Sequence, residues 1–166
     1  VGVLPHPTKQ KRALLVTNHE YTDEALMFPT GTDPEVVKQV AMASHGMSVV
    51  EIVRGSKAGS WRRAKVKNTT LNRRLHVGSD FDLVGPAAGE ARLVTSADPT
   101  GRRVKGTLNN CAGGHTPWGT VLSGEENFNQ YFEGTVPAGY EASYARYGIA
   151  GGAARGWSTV DPRFSM

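Results

Sequence analysis

The hydrophobic and polar positions in the first third of the chain predict two buried strands with a helix between them. The short apolar run at residues 12–17 is typical of a buried strand, and it leads directly into the polar residues Asn18, His19 and Glu20. Residues 47–54 are rich in valine and isoleucine, which predicts a second strand.

The segment between these strands carries the signals of an amphipathic helix over residues 33–45. Asp33 is a good N-cap, Pro34 suits the first helical position, and Gly46 is a natural C-terminal stop. Apolar or small residues recur at helical spacing, at Val36, Val37, Val40, Ala41 and Ser44. We expect this helix to serve packing.

The rest of the chain predicts short strands separated by turns. The candidate strands are residues 61–67, 92–95, 104–107 and 118–122. The turn at residues 98–101 is predicted to join the second and third of them as a hairpin. Residues 85–89 form another break, residues 140–147 a short helix, and the glycine-rich residues 148–156 a loop.

These elements predict an all-β dominated fold, either a barrel, a sandwich or a propeller, with a helical insertion. The chain has 166 residues, enough for one domain, and 20 glycines and nine prolines favour turns over a helical bundle. We find no repeat of fixed period. The first residue is Val1 and both ends resemble interrupted segments, so the lack of a signal peptide says nothing about export.

Charge and cysteine content narrow the classes of partner. The net charge of +4 fits an anionic substrate, but no nucleic-acid-binding module accompanies it, and Arg62-Arg63 and Arg73-Arg74 are predicted to be solvated strand ends. No apolar run is long enough to span a membrane.

A single cysteine excludes an internal disulfide, and no second thiol or spaced histidine pair suggests zinc. His6, His45 and His76 are predicted to be surface or capping residues.

The one cysteine, Cys111, is followed by small residues that leave room for a ligand or an ion. Three interpretations remain open from the residues alone: a buried inert thiol, a nucleophile, or a metal ligand. His115 is close in sequence, but no protease signature surrounds the thiol.

Two acidic motifs offer oxygen donors of the kind that hard cations prefer. Glu125 and Glu126 precede Asn127, and adjacent carboxylates at a strand end can approach one cluster, although within a strand they would point to opposite faces. Asn18 and Glu20 offer the same donors. The alternatives are a solvated acidic turn or helix start for the first motif and surface decoration for the second.

The motif around Cys111 resembles the signature of the PhoX-type alkaline phosphatases. It runs from Asn109 through Cys111-Ala112-Gly113-Gly114 to Thr116-Pro117-Trp118-Gly119-Thr120, and Glu125-Glu126-Asn127 follows. Three further pieces occur in the same order, namely Asn18-His19-Glu20, Gly85-Pro86-Ala87-Ala88-Gly89, and Asp98-Pro99 with Gly101 leading to Gly106-Thr107.

The resemblance implies a phosphomonoesterase with Fe3+ and Ca2+ in its site, built on a β-propeller with helical and loop additions. It implies a periplasmic or secreted enzyme exported by the twin-arginine (Tat) route. Cys111 matches an iron ligand of the family. Catalytic roles are expected for Cys111, Glu125 and Glu126, and metal ligation for Cys111, Glu20, Glu125, Glu126 and Asn18.

Family enzymes are several times longer than 166 residues. We therefore expect residues 1–166 to be a single segment, the N-terminal portion of a larger propeller domain, and to be inactive alone. The complete enzyme is expected to be a monomer that acts on a phosphate ester. The alternatives are a phosphodiesterase or nucleotidase with the same cluster, and a non-catalytic, calcium-stabilised propeller that binds a partner.

Overall fold

The main sheet is antiparallel and is built by the N-terminal half of the chain. In the computed structural model, which describes residues 2–152 and 155–166, its central strands β2 and β3 pair from Arg12↔Val53 to His19↔Gly46. The strand order is β1-β2-β3-β4, and β5 also pairs with β3. The strands are β1 (Gly2–Pro5), β2 (Arg12–His19), β3 (Gly46–Arg54), β4 (Trp61–Arg63) and β5 (Arg73–Leu75).

Two further antiparallel pairs follow. β6 (Ser79–Asp82) pairs with β7 (Arg103–Gly106), and β8 (Asn110–His115) pairs with β9 (Val121–Glu125). In the residues that the structure describes, none of these sheets closes into a barrel. The prediction of a sheet-dominated fold is confirmed.

Helices are few and short. The helices are α1 (Glu24–Met27), α2 (Pro34–Ser44) and α3 (Glu141–Arg146), the last lying within the predicted 140–147. No helix in the described part of the chain is long and apolar enough to cross a membrane.

Helix α2 begins and ends where the sequence predicts. The Asp33 carboxylate accepts a hydrogen bond from the Glu35 backbone N–H at 2.9 Å. Gly46 stops the helix at φ +102°, where an added Cβ would lie 2.1 Å from the Leu75 carbonyl oxygen, so only glycine fits. The apolar stripe is less buried than expected, because Ala41 is buried while Val36 and Val40 are exposed.

Two predicted strands are wrong in length or type. The strand predicted at 61–67 ends at Arg63, because the Glu51 N–H opposite Ala64 donates to the Asn72 side chain at 2.7 Å instead, and the chain then enters a 3-10 turn, Val66–Asn68. Residues 91–93 form another 3-10 turn, capped by the Glu90 carboxylate, which accepts from the Arg92 N–H at 2.9 Å.

The predicted hairpin between residues 92–95 and 104–107 is therefore wrong. β7 pairs instead with β6, which the sequence did not predict. The turn at residues 98–101 exists, and the Asp98 carboxylate organises it by accepting hydrogen bonds from the Thr100, Arg102 and Arg103 backbone N–H groups. The sequence therefore predicted the turn correctly but not the strand with which β7 pairs.

The structure can also be compared with the strand predicted at 118–122 and the loop predicted at 148–156. The strand predicted at 118–122 begins only at Val121, because Thr116 accepts from the Thr120 N–H and closes a turn. In the predicted loop 148–156, residues 153–154 lie outside the described residues, and the others form no helix or strand.

Two groups of buried side chains form the core. The first joins α2 to the C-terminal segment and comprises Ala41, Val77, Leu108, Tyr131, Trp157 and Phe164. The second lies on the main sheet and comprises Val16, Met47 and Val49, with Leu14, Leu75 and Val121 packed against it.

Of the residues predicted to be at the surface or to cap a helix, His45 caps the end of α2 but is buried, and His6 is also buried; Arg74 is exposed, as predicted. His45 is fully buried, with Nδ1 2.7 Å from the Ala41 carbonyl oxygen and Nε2 3.0 Å from the Tyr131 hydroxyl. The Arg74 guanidinium donates to the carbonyls of residues 43, 44, 45 and 47, which are exposed by the end of α2. Both side chains hydrogen-bond to backbone carbonyls, His45 from a buried position and Arg74 from an exposed one.

Glu51 is a fully buried carboxylate at the centre of β3. Burial alone would raise its pKa, but hydrogen bonds from the Leu71 and Thr70 backbone N–H groups and from Arg12 outweigh that effect and lower the pKa to about 2. The Arg12 Nη1 lies 2.8 Å from Oε2. This carboxylate therefore joins β2, β3 and the segment before β5.

We expect Glu51→Gln to lower the free energy of unfolding by about 3 kcal/mol at neutral pH, because Arg12 would remain without its charged partner. Folding favours the ionised form of the Glu51 carboxylate. Its contribution to the free energy of unfolding is therefore complete above the ordinary pKa of 4.5 and is lost as the pH falls toward about 2. Urea unfolding across this range should show the two proteins converging. Glu35→Gln, on the exposed start of α2, is the matched control and should change little. Equal losses in both variants would contradict the assignment.

Candidate functional site

Cys111 lies within strand β8, where the sequence predicted no strand. Asn110 pairs with Glu125 and Ala112 with Gly124, so Cys111 is one extra residue in β8 and forms a β-bulge. A bulge bends a strand and redirects the side chain it carries, and bulges are common beside active sites.

The thiol of Cys111 faces the carboxylate of Glu126, the residue that follows β9. Sγ and Oε2 are 2.5 Å apart. The hydrogen bond to Glu126 raises the pKa of the Cys111 thiol, partial burial raises it further, and the negative charges of Glu126 and Glu20 add to the effect.

Glu125 points away from this pair. Its Oε1 accepts hydrogen bonds from the Thr107 hydroxyl and from the Leu108 backbone N–H, the latter at 3.0 Å. Adjacent residues on a strand point to opposite faces, which explains the division of roles. Glu125 holds the connection between β7 and β8 in place.

Asn18 connects the main sheet to the β8–β9 hairpin. Its Nδ2 donates to the Ala112 carbonyl at 3.3 Å, and its Oδ1 accepts from the Ser123 hydroxyl at 3.1 Å. Ser123 in turn accepts from Asn110 Nδ2 at 3.0 Å. Asn18 and His19 belong to β2 itself, and His19 Nε2 lies 2.9 Å from the Ser48 hydroxyl on β3.

Asn109 begins the family motif, but the sequence alone indicates no role for it. It is fully buried with φ +49°, a conformation that asparagine tolerates better than most residues. Its backbone carbonyl accepts from the Glu126 N–H at 3.0 Å, and its Nδ2 donates to the Glu126 carbonyl. Its Oδ1 has no protein partner among the described residues.

A cation stacks between the two acidic segments. Arg155 Nη1 lies 3.0 Å from Glu24 Oε1, and the guanidinium carbon lies 5.9 Å from the Tyr21 ring centroid and 5.8 Å from that of Tyr131. Tyr21 follows Glu20, and Tyr131 ends the 3-10 turn after Glu126. Burial raises the pKa of Tyr131 to about 12, so it stays neutral beside Arg155. The contacts tie the Glu20 and Glu126 segments together.

A groove of about 510 Å³ lies between the main sheet and the hairpin. Its lining is mostly apolar, and the polar side chains in it include Thr107, Asn110 and Ser123. Cys111 and Glu126 do not line it. The thiol–carboxylate pair is therefore separate from this groove.

The donors around Cys111 fit a cation in kind. A thiol and a carboxylate converge at 2.5 Å, and the buried Asn109 Oδ1 beside them lacks a partner. Within the described residues, no three of the His, Cys, Asp and Glu side chains are close enough together to hold a metal ion. Of the five predicted ligands, Cys111 and Glu126 meet, the charge of Glu20 acts on the thiol, and Glu125 and Asn18 are engaged in hydrogen bonds.

The fold is an antiparallel sheet with a bulged hairpin attached to it. The hairpin presents a thiol beside a carboxylate, so the candidate site combines sulfur and oxygen donors. The family model described as alkaline phosphatase PhoX matches residues 1–166, so the chain belongs to the PhoX alkaline phosphatase family. This confirms the resemblance found in the sequence.

A solved structure agrees with the family. The chain is 38% identical to Pseudomonas fluorescens PhoX in complex with vanadate, a transition-state analogue, with a TM-score of 0.84. The match covers 99% of this chain and 28% of that one. A comparison with curated proteins finds no match.

The hydrogen bonds of Ser123 generate a test of the hairpin's attachment. Ser123→Ala should lower the free energy of unfolding by about 1–2 kcal/mol, because Asn18 and Asn110 each lose a partner. Amide hydrogen exchange in β8 and β9 should accelerate more than exchange in β3. Ser143→Ala on the exposed face of α3 is the control and should leave both measurements unchanged. Unchanged exchange in the Ser123 variant would show that the hairpin is held by other contacts.

Proposed function

We propose that this chain contributes a metal-binding part of an alkaline phosphatase that hydrolyses phosphomonoesters. The observation that carries the proposal is the contact of Cys111 Sγ with Glu126 Oε2 on the family's long motif. The relative of known structure was solved with vanadate, described as a transition-state analogue. A bound vanadate of this kind supports phosphate ester chemistry in this family.

The cofactors proposed are Fe3+ and Ca2+. Hard oxygen donors suit both ions, and a thiolate suits iron. Cys111 and Glu126 would hold iron, and Glu20, whose charge acts on the thiol, is proposed as a further ligand. Asn18 and Glu125 complete the proposed set. Glu125 would use its second carboxylate oxygen, since Oε1 already accepts from Thr107 and Leu108.

When bound, such ions polarise a phosphoryl oxygen and stabilise the charge that develops during displacement. The contribution of the chain is to place the ligands. The bulge aims Cys111, Asn109 fixes the backbone of Glu126, and the Asn18–Ser123–Asn110 hydrogen bonds hold the hairpin against the main sheet. Arg155 holds the Glu20 segment beside Tyr131.

Several wider features belong to the same proposal. The chain spans 28% of the length of the PhoX structure that it matches, so the activity of a complete enzyme is proposed rather than assigned to residues 1–166 alone. We propose that these residues form the N-terminal portion of a β-propeller domain and that the enzyme is a monomer. Export to the periplasm or outside by the Tat route is proposed from the family resemblance.

Two alternative functions make different predictions. A phosphodiesterase or nucleotidase would use the same ligands but accept a second ester group. A non-catalytic, calcium-stabilised binding module would need no thiol among its donors, and the contact between Cys111 and Glu126 therefore favours an enzyme.

We expect the protein carrying this sequence to contain iron and calcium and to hydrolyse p-nitrophenyl phosphate much faster than bis(p-nitrophenyl) phosphate. Cys111→Ala and Glu126→Gln should each reduce kcat by at least about 100-fold, as is common when a metal ligand or its support is lost. Elemental analysis should show loss of iron in parallel, and vanadate should inhibit the unmodified protein.

Asp33→Ala is the control, because it removes only a helix cap worth about 1 kcal/mol and should leave metal content and kcat unchanged. Faster diester hydrolysis would favour the phosphodiesterase. Calcium without iron or turnover would favour the binding module. Full activity and iron content in Cys111→Ala would refute the proposed ligand.

A further inference from the structure

The charges of the chain are strongly segregated. Segments 7–12 and 54–68 contain nine of the 19 Lys and Arg residues and none of the 15 Asp and Glu residues. The remaining residues carry ten cationic against 15 acidic side chains. The modest net charge of +4 therefore conceals a basic part and an acidic part.

The strand register brings the basic segments to one end of the main sheet. Val53 pairs with both Arg12 on β2 and Arg62 on β4, and Arg54 pairs with Trp61. The Arg54 backbone N–H donates to the Lys11 carbonyl at 2.9 Å, which fixes the turn before β2 beside the end of β3.

Arg12 is neutralised by Glu51, but the other eight cations are exposed. We call these eight residues the basic end: Lys9, Lys11, Arg54, Lys57, Arg62, Arg63, Lys65 and Lys67. Among the described residues, none of the eight forms a salt bridge.

Two large apolar side chains stand among these cations. Trp61 is 45% exposed and directly precedes Arg62 and Arg63. Val66 is 66% exposed and lies between Lys65 and Lys67. Exposed tryptophan flanked by basic residues is typical of surfaces that meet the headgroup layer of a membrane.

The basic end is remote from the candidate site. β3 begins at Gly46, which pairs with His19 near the site, and ends at Arg54 in the basic end. Nine residues of strand separate the two by about 26 Å, whereas charges in physiological salt are screened beyond about 8 Å. Binding of substrate phosphate at Cys111 therefore does not explain these cations.

We propose that the basic end is a docking surface for anionic phospholipid headgroups, which places the protein on a membrane surface without crossing it. Charge complementarity supplies the attraction, and Trp61 and Val66 enter the boundary between headgroups and acyl chains. Nucleic acid would also attract the cations, and a base could stack on Trp61, but it gives no role to the exposed Val66. The proposal does not depend on the phosphatase function.

The test compares binding of the purified protein to vesicles of phosphatidylcholine alone and of phosphatidylcholine mixed with phosphatidylglycerol, by co-sedimentation. We expect binding only to the anionic vesicles, weakening as salt is raised. Each Lys or Arg near an anionic surface contributes about fivefold, so R62Q/R63Q should reduce the partition coefficient about 25-fold. Trp61→Ala should also reduce it, without changing the salt dependence.

The control R92Q/R146Q makes the same change in net charge at exposed positions outside the basic end and should bind nearly as well as the unmodified protein. Circular dichroism establishes that every variant is folded. Failure to bind anionic vesicles, or equal losses in both double variants, would overturn the proposal. Binding to a DNA duplex in the absence of vesicle binding would overturn it in favour of a nucleic-acid surface.

Discussion

The candidate site depends on the hydrogen bonds that hold the β8–β9 hairpin to the end of β2. Asn18, Ser123 and Asn110 form a continuous chain of donors and acceptors between two elements that are about 90 residues apart in sequence. Such a long-range contact must offset a large loss of chain entropy, so each unpaired member would be costly. Because the sheet is rigid, the hairpin attached to it can present Cys111 in a defined position.

A second set of contacts controls the acidic segments. The buried pair of His45 and Tyr131 packs against Trp157, with the His45 and Trp157 ring centroids 4.8 Å apart. Tyr131 follows Glu126 by one short turn, and Arg155 stacks on its ring while binding Glu24. Contacts with the aromatic core therefore position the acidic segments, whereas the hairpin positions the Cys111 thiol.

Features with local causes were predictable from the sequence. The bounds of α2 follow from Asp33, Pro34 and Gly46, and the strands β2 and β3 follow from their apolar runs. The pairing of β6 with β7 was missed, because the choice of partner depends on contacts distant in sequence. The burial of His45 was missed for the same reason. At the site, the family motif singled out Cys111 and Glu126, but the contrary direction of Glu125 required the strand geometry.

The bulge at Cys111 has a consequence for how the hairpin tolerates change. Because two residues of β8 oppose one residue of β9 between Asn110 and Ala112, the direction of the Cys111 side chain depends on the number of residues at that point as well as on their identity. A deletion of one residue there would leave two strands that pair regularly, with Ala112 still opposite Gly124, but it would remove the bulge that turns the Cys111 side chain toward Glu126. A change in the length of this hairpin can therefore abolish the site in a protein that still folds. Many substitutions of exposed residues in the hairpin would leave both the fold and the site intact.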